Sequence, residues 1–437
     1  MTMGSSEELR KQGNRLYFSV ETPPESEADR ARLEDAIKLY NRALSAARGL
    51  QDYLSALKNL GMAHLKISAY PSLSSKMVIY HLEQSAFPFA KALDATEGQP
   101  ASAWVADLKS RVQEATTSSL GTIRDLEDYR DKETALLRLC EVVHRGQKSI
   151  VFFEMGNLYY GVGVVARDAR DFKKCLSAFE DCRFPYAEAL RYLPHAFSND
   201  DKLNSEIEEQ MMTLDVNLSI AQAMQAIYIG EELQKKAVYD EETTDVELLW
   251  DSADWFTKAI LCSRDRDLEN EAIASSKLGL IFIQLLNLKE KGYKLLEYAL
   301  QLTEALKPRS FVTQPWHQEC VKAMSDYQQK RQAEEDAKLA KERAPYIEKL
   351  KDLLQVVKEA ADDSPYKLLR HVYSKHPPKK GKLKDPLDAS TLKKRLKKAL
   401  VHYHPDKNTV TEHGMEWFVL CEEIYKYLSV KYTIQKA

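Results

Sequence analysis

Apolar side chains recur every three or four residues across most of residues 5–320, and no stretch alternates convincingly with period two. That pattern predicts a succession of amphipathic helices. One short motif returns within it: a small residue, a large apolar one four later, and a small residue three after that. It stands at Ala36/Tyr40/Ala43, Ser85/Phe89/Ala92, Cys175/Phe179/Cys182, Ser252/Phe256/Ala259 and Gly292/Leu296/Ala299. Positions i and i+7 share a helix face, so two small residues there admit a neighbouring helix while the large one fills the groove. Upstream of several of these motifs a helix carries a mid-helix glycine, at Gly13, Gly61, Gly156 and Gly279. Each costs about 1 kcal/mol of helix propensity, which points to tight crossings there.

The run Leu9…Gly13…Tyr17 followed by Ala36…Tyr40…Ala43, and then Leu57…Leu60-Gly61…Leu65, resembles the tetratricopeptide repeat, or TPR. This is a helical hairpin of about 34 residues that stacks into a superhelix. The chain departs from the family in its spacing. Gly13 to Ala36 spans 23 residues, about twice the usual interval, and the extra segment VETPPESEADR (20–30) reads as a polar loop. The later glycines lie 95 and 123 residues apart, so the middle is not a regular array. A longer duplication replaces it: Phe87-Pro88-Phe89-Ala90-Lys91-Ala92-Leu93 resembles Phe184-Pro185-Tyr186-Ala187-Glu188-Ala189-Leu190. In each copy proline is expected to open or kink a helix. The expected fold is therefore all-α: an irregular TPR-like α-solenoid over 1–320, a charged linker helix over 321–360, and a small helical module over 364–437. A generic helical bundle is the alternative for the body.

Residues 327–344 hold only Tyr327 and Leu339 as large apolar residues, and their mixed charges sit at helical spacing, so this stretch reads as a solvated helix. Pro345 is expected to break it before an apolar stripe resumes over 347–360, making the whole a semi-rigid spacer.

The tail carries the sharpest pattern. In TLKKRLKKALVHYHPDKN (391–408), Leu392, Leu396, Ala399, Leu400 and Tyr403 share one side of a helix. Lys393, Lys394, Lys397 and Lys398 share the other, with Arg395 at the border. Ser390 is a candidate cap. The helix must end before Pro405, because the residue preceding a proline is pushed out of the α region. His404-Pro405-Asp406 therefore falls in a loop at the tip of a basic helix. A second amphipathic helix follows Gly414, with Phe418, Cys421, Ile424, Tyr425 and Leu428 on its inner face, and Ser364-Pro365 opens a short helix carrying Tyr366 and Leu369.

Those features in that order resemble a J-domain, the module that defines DnaJ-like cochaperones. The resemblance covers about the last 74 residues. It implies that the basic helix, with Lys393, Lys394, Lys397 and Lys398, docks on an acidic surface of a DnaK-type (heat shock protein 70 family) ATPase chaperone. It further implies that His404, Pro405 and Asp406 stimulate that ATPase, the aspartate engaging an arginine that couples the chaperone's two domains. Two departures stand out. Tyr366 to His404 spans 38 residues, about a dozen more than the family uses, so KHPPKKGKLKDP (375–386) reads as an insertion. The family's short fourth helix has no counterpart before Ala437.

Some TPR domains clamp the C-terminal carboxylates of heat-shock chaperones with two asparagines and three cations. Arg10, Asn14 and Asn59 match the first cation and both asparagines, whereas Lys109 and Arg111 stand off the third-repeat positions. The groove is thus a candidate site for a chaperone C-terminal peptide or a client.

Composition and charge narrow the remaining choices. Fifteen glycines and 15 prolines are fewer than the roughly 31 and 22 of average usage, which disfavours turn-rich and disordered architectures. The net charge of −3 hides 16 Lys/Arg against 7 Asp/Glu over 364–437, a local +9 that leaves −12 for the rest. A basic module on an acidic body implies two surfaces with different partners. Few aromatics interleave with the lysines, so nucleic acid is not an expected partner. No uninterrupted apolar run approaches the roughly 20 residues of a membrane span and the first residues lack a signal peptide, so a cytoplasmic or nuclear location without membrane insertion is expected. Six scattered cysteines form no C-x-x-C pair. No phosphate loop, H-E-x-x-H or nucleophile elbow appears, and no enzymatic activity or cofactor is expected. His402 and His404 beside Asp406 suggest a metal cluster only weakly. A scaffold that merely anchors the chaperone, or an auxilin-like coat-disassembly factor, is the rival function.

Overall fold

The computed structural model describes residues 5–96, 102–197, 201–238, 245–380 and 392–435. The chain divides into two compact units, Met1–Cys320 and Val321–Ala437. Ser390, the candidate cap, and residues 381–386 of the 375–386 insertion lie outside the described residues.

The first unit opens with α1 (Ser6–Phe18), α2 (Glu27–Ala46), α3 (Leu50–Ser68) and α4 (Ser75–Asp94). It continues with α5 (Ala103–Arg124), α6 (Tyr129–Val142), α7 (Arg145–Asp168), α8 (Phe172–Asp181) and α9 (Arg183–Tyr192). Then follow α10 (Asp201–Ala237), α11 (Val246–Ser263), α12 (Leu268–Leu280), α13 (Lys289–Ala305) and the start of α14 (Pro315–Lys349). Serine and aspartate caps start most of them; Ser5 with Glu8 and Ser26 with Asp29 form full capping boxes. Most helices pack chiefly on a neighbour in sequence, while α9 packs chiefly on α7, and this unit is an all-α, solenoid-like stack.

The recurring motif is the key to the stacking. Tyr40, Phe89, Phe179, Phe256 and Leu296 are all buried, and so are the small residues flanking each. The large residue of each motif lies under a glycine of another helix: Tyr40 under Gly13, Phe89 under Gly61, Phe179 under Gly163, Phe256 under Gly230 and Leu296 under Gly279. Tyr186 of the duplicated segment lies under Gly156. Gly163 and Gly230 were not singled out from the sequence. At Gly61 an added Cβ would stand 2.5 Å from Phe89 Cε1, inside contact distance, and Phe89 has no solvent to move into. Gly61→Val is accordingly expected to destabilise this unit by about 2 kcal/mol or more through overpacking, readable as a lowered denaturant midpoint at unchanged slope.

In the second copy of the duplication the Tyr186 ring is held as Tyr40 is held in the first hairpin. Tyr40 Oη donates to Asn14 Oδ1 at 2.8 Å, and Tyr186 Oη donates to Asn157 Oδ1 at 2.9 Å, so Gly13-Asn14 and Gly156-Asn157 seat their rings alike. The two prolines differ, however. Pro185 lies in the first turn of α9, after a break at Cys182, whereas Pro88 sits in the interior of α4. Helix α7, interrupted by Glu154 and Asn157, is the one described helix long and apolar enough to cross a bilayer by length and composition. Here its glycines seat the Phe179 and Tyr186 rings.

Two buried histidines join α3 to α4. His64 Nδ1 and His81 Nδ1 are 3.1 Å apart, so one donates and the other accepts, and both rings are neutral. Burial holds both below the usual histidine range, His64 at about 4; Glu34 and Arg30 act on His81 with opposite signs. An unfolded chain takes up a proton near pH 6.5 that folded His64 refuses until about pH 4. Stability is therefore complete above 6.5 and falls as pH drops through that window, by about 3 kcal/mol from His64 alone. His64→Gln, which preserves a hydrogen-bond partner for His81, is expected to flatten the decline in melting temperature between pH 7 and 4.5. An unchanged slope would assign the acid sensitivity to other groups.

The second unit holds the rest of α14, then α15 (Lys351–Asp363), α16 (Pro365–Lys375), α17 (Leu392–His402), α18 (Val410–His413) and α19 (Met415–Ile434). Two expectations need correction. Pro345 does not break α14, which runs on to Lys349; the missing N–H affects only the carbonyl of Lys341, an exposed residue that solvent can satisfy. Nor is 321–360 a spacer throughout. Leu350, Val357 and Ala361 are buried in one core with Leu369, Val372 and Leu428, so the apolar stripe after Pro345 belongs to the folded module.

Candidate functional site

The site is assembled from α17, the turn that follows it and α19, which packs against α17. Ser364 caps α16, its Oγ accepting from Lys367 N–H at 3.2 Å, with Pro365 in the first turn. On α17 the spacing Leu392, Leu396, Ala399, Tyr403 faces inward against Cys421, Ile424 and Leu428 of α19. The opposite side exposes Lys393, Lys394, Lys397 and Lys398 to solvent, with Arg395 half-buried between. Five basic residues within six positions cannot be buried without partners, so the wheel leaves one orientation for this helix.

α17 ends at His402, as Pro405 requires, and Pro405–Lys407 forms a single 3-10 turn. His404 is its N-cap: Nδ1 accepts from Asp406 N–H at 3.2 Å, so the neutral ring carries its proton on Nε2. The ring lies edge-on to Tyr425 at 5.0 Å between centroids. Lys407 N–H donates to His404 O, and Asn408 N–H donates to Pro405 O, both at 3.0 Å. The Asp406 carboxylate is 87% exposed and 3.6 Å from His404 Nδ1. A carboxylate held on a short, doubly hydrogen-bonded turn can meet a cation without first ordering a loop.

The turn is anchored from below. Tyr403, fully buried, donates through its hydroxyl to Val372 O at 3.1 Å and His376 O at 2.7 Å. Tyr373 Oη pairs with His402 Nδ1 at 2.6 Å. Burial, with Lys398 and Lys407 nearby, lowers the pKa of His402, which favours the neutral acceptor form. Asn408, also buried, closes the far side of the turn. The backbone and ring contacts made by His402 and His404 are those of a rigid turn, and among the described residues no group of three potential metal ligands occurs.

The candidate groove residues of the first unit are only partly brought together. Asn59 Nδ2 donates to Asn14 Oδ1 at 3.0 Å, so the two asparagines meet. Arg10, however, is ion-paired with Asp52 at 2.7 Å. Arg111 is engaged by Glu114 at 2.8 Å, and the Lys109 ammonium lies 5.5 Å from the centre of the Phe197 ring. A carboxylate arriving here meets Asp52 as well as Arg10. Of the cysteines, all but Cys262 are buried, and burial pushes the thiols of Cys140 and Cys182 up to about 12, so they stay protonated and inert.

Sequence reasoning missed Trp417, Tyr373 and Arg343, all of which support the site or its helices. Trp417 lies one residue before the inner stripe that begins at Phe418, so helical periodicity offered no reason to notice it. No family model matches the chain, and no curated protein matches it in sequence.

Proposed function

We propose that the second unit is a J-domain that docks on an acidic lobe of a DnaK-type chaperone and stimulates its ATPase, so that the protein is a cytoplasmic cochaperone. The observation that carries this reading is the placement of Asp406: almost fully exposed, on a braced turn, at the end of a helix whose outer face is four lysines. The lysines supply long-range steering that weakens with salt, since exposed charges are screened over about 8 Å at physiological ionic strength. Asp406 then supplies one short-range, charge-assisted contact. The polypeptide itself makes and breaks no bond in this scheme; its partner hydrolyses ATP. The first unit serves as the arm that holds a client or adaptor protein, with the Arg10–Asp52 pair arguing against a simple carboxylate clamp.

A single-turnover ATPase assay with a DnaK-type partner tests the proposal. Titrating the full-length protein is expected to accelerate hydrolysis to a plateau, with the half-saturating concentration rising steeply between 50 and 300 mM salt, the range over which screening grows from moderate to strong. Binding without acceleration would favour a scaffold that only anchors the chaperone.

A further inference from the structure

The braced turn depends on a residue outside the tripeptide. Asn408 Nδ2 donates to two backbone carbonyls, His402 O at 2.9 Å and His404 O at 3.0 Å, which lie on either side of Tyr403. That leaves the orientation of the Asn408 amide to be set by its oxygen. Oδ1 accepts from the indole Nε1–H of Trp417 at 3.0 Å, from the first turn of α19. The Lys379 ammonium lies 5.1 Å from the centre of the same ring, holding one face of the indole. Without the indole N–H, the buried Oδ1 loses this partner, and the amide can rotate and release one or both carbonyls.

We propose that Trp417 is a positioning residue for His404-Pro405-Asp406, acting through Asn408 to hold the turn in the form that stimulates the ATPase. The proposal rests on the docking function given above and adds a specific determinant to it. Trp417 lies off the lysine face and off the tripeptide, so its part is in the geometry of the turn rather than in the encounter with the partner.

Trp417→Phe removes the N–H and keeps an aromatic ring. In the full-length protein, amide hydrogen exchange at Lys407 and Asn408 is expected to quicken about five-fold, the equivalent of one net hydrogen bond. The plateau of stimulated hydrolysis should fall by about the same factor, while the half-saturating concentration, set by the lysines, stays put. Asn408→Ala should reproduce the loss, and the double variant should fall no further than Asn408→Ala alone, because both act through one amide. Additive losses, or exchange unchanged at the turn, would overturn the proposal. So would faster exchange spread evenly along α17 and α19 with a lowered melting temperature, which would make Trp417 merely structural. If the wild-type protein stimulates no ATPase, the docking function fails, and the exchange measurement still decides whether Trp417 holds the turn.

Discussion

Asp406→Asn is expected to lower the stimulated ATPase plateau ten- to a hundred-fold, the value of one hydrogen bond to a charged group, about 1.5–3 kcal/mol. The fold should not notice. The carboxylate is 87% exposed, and the ring nitrogen beside it, His404 Nδ1, lies 3.6 Å away. The backbone N–H that His404 caps is retained in the variant. His404→Gln is a different experiment: it removes the cap of the turn and the edge-on contact with Tyr425, so it should lower the plateau and also loosen the turn. Removing two lysines, with Lys397→Ala and Lys398→Ala, should instead raise the half-saturating concentration and flatten its salt dependence, leaving the plateau in place. Equal plateaus for wild type and Asp406→Asn would reject the assigned role of the tripeptide.

Much of this architecture was legible in the chain. The Tyr40, Phe89, Phe179, Phe256 and Leu296 motifs were visible because small–large–small spacing at four and three is a property of one helix face. Their partners were harder to assign, because which glycine meets which ring depends on the order of stacking. Gly163 and Gly156 of α7 thus serve two separate helices, α8 and α9. The basic helix and its terminating proline were legible for local steric reasons. The bracing of the turn was not, since Asn408, Trp417 and Tyr373 act through single hydrogen bonds that leave no periodicity behind. Charge patterning misled at one place. The stretch before Ser364 looked like a spacer because its first part is solvated, yet its apolar residues at 350, 357 and 361 are core.

That last correction sets a boundary that can be measured. A fragment starting at Ser364, where the resemblance to a J-domain begins, is expected to fold poorly, and one starting at Val321 to fold cooperatively. α15 packs on α16 and α19, burying Leu350, Val357 and Ala361 with Tyr346 and Leu354 at the margin. Losing the burial of Leu350 and Val357 alone forfeits about 1.5–3 kcal/mol each, an upper estimate because an unfolded chain already hides some of that surface. Arg343 adds an ion pair to Glu422 at 3.0 Å, both side chains about three-quarters buried, and its guanidinium lies 5.4 Å from the centre of the Phe418 ring. The more exposed Lys349–Glu416 pair at 2.6 Å contributes little. Together these approach the roughly 4–11 kcal/mol that a module of this size has in total. The shorter fragment should therefore show weak amide dispersion and a broad melt, the longer one a sharp transition. In the full chain, Val357→Asp should lower the melting temperature of the second unit by placing an unpaired carboxylate in its core. Two fragments melting within a few degrees of each other would mean that α15 contributes little to the unit's stability, and the domain boundary would return to Ser364.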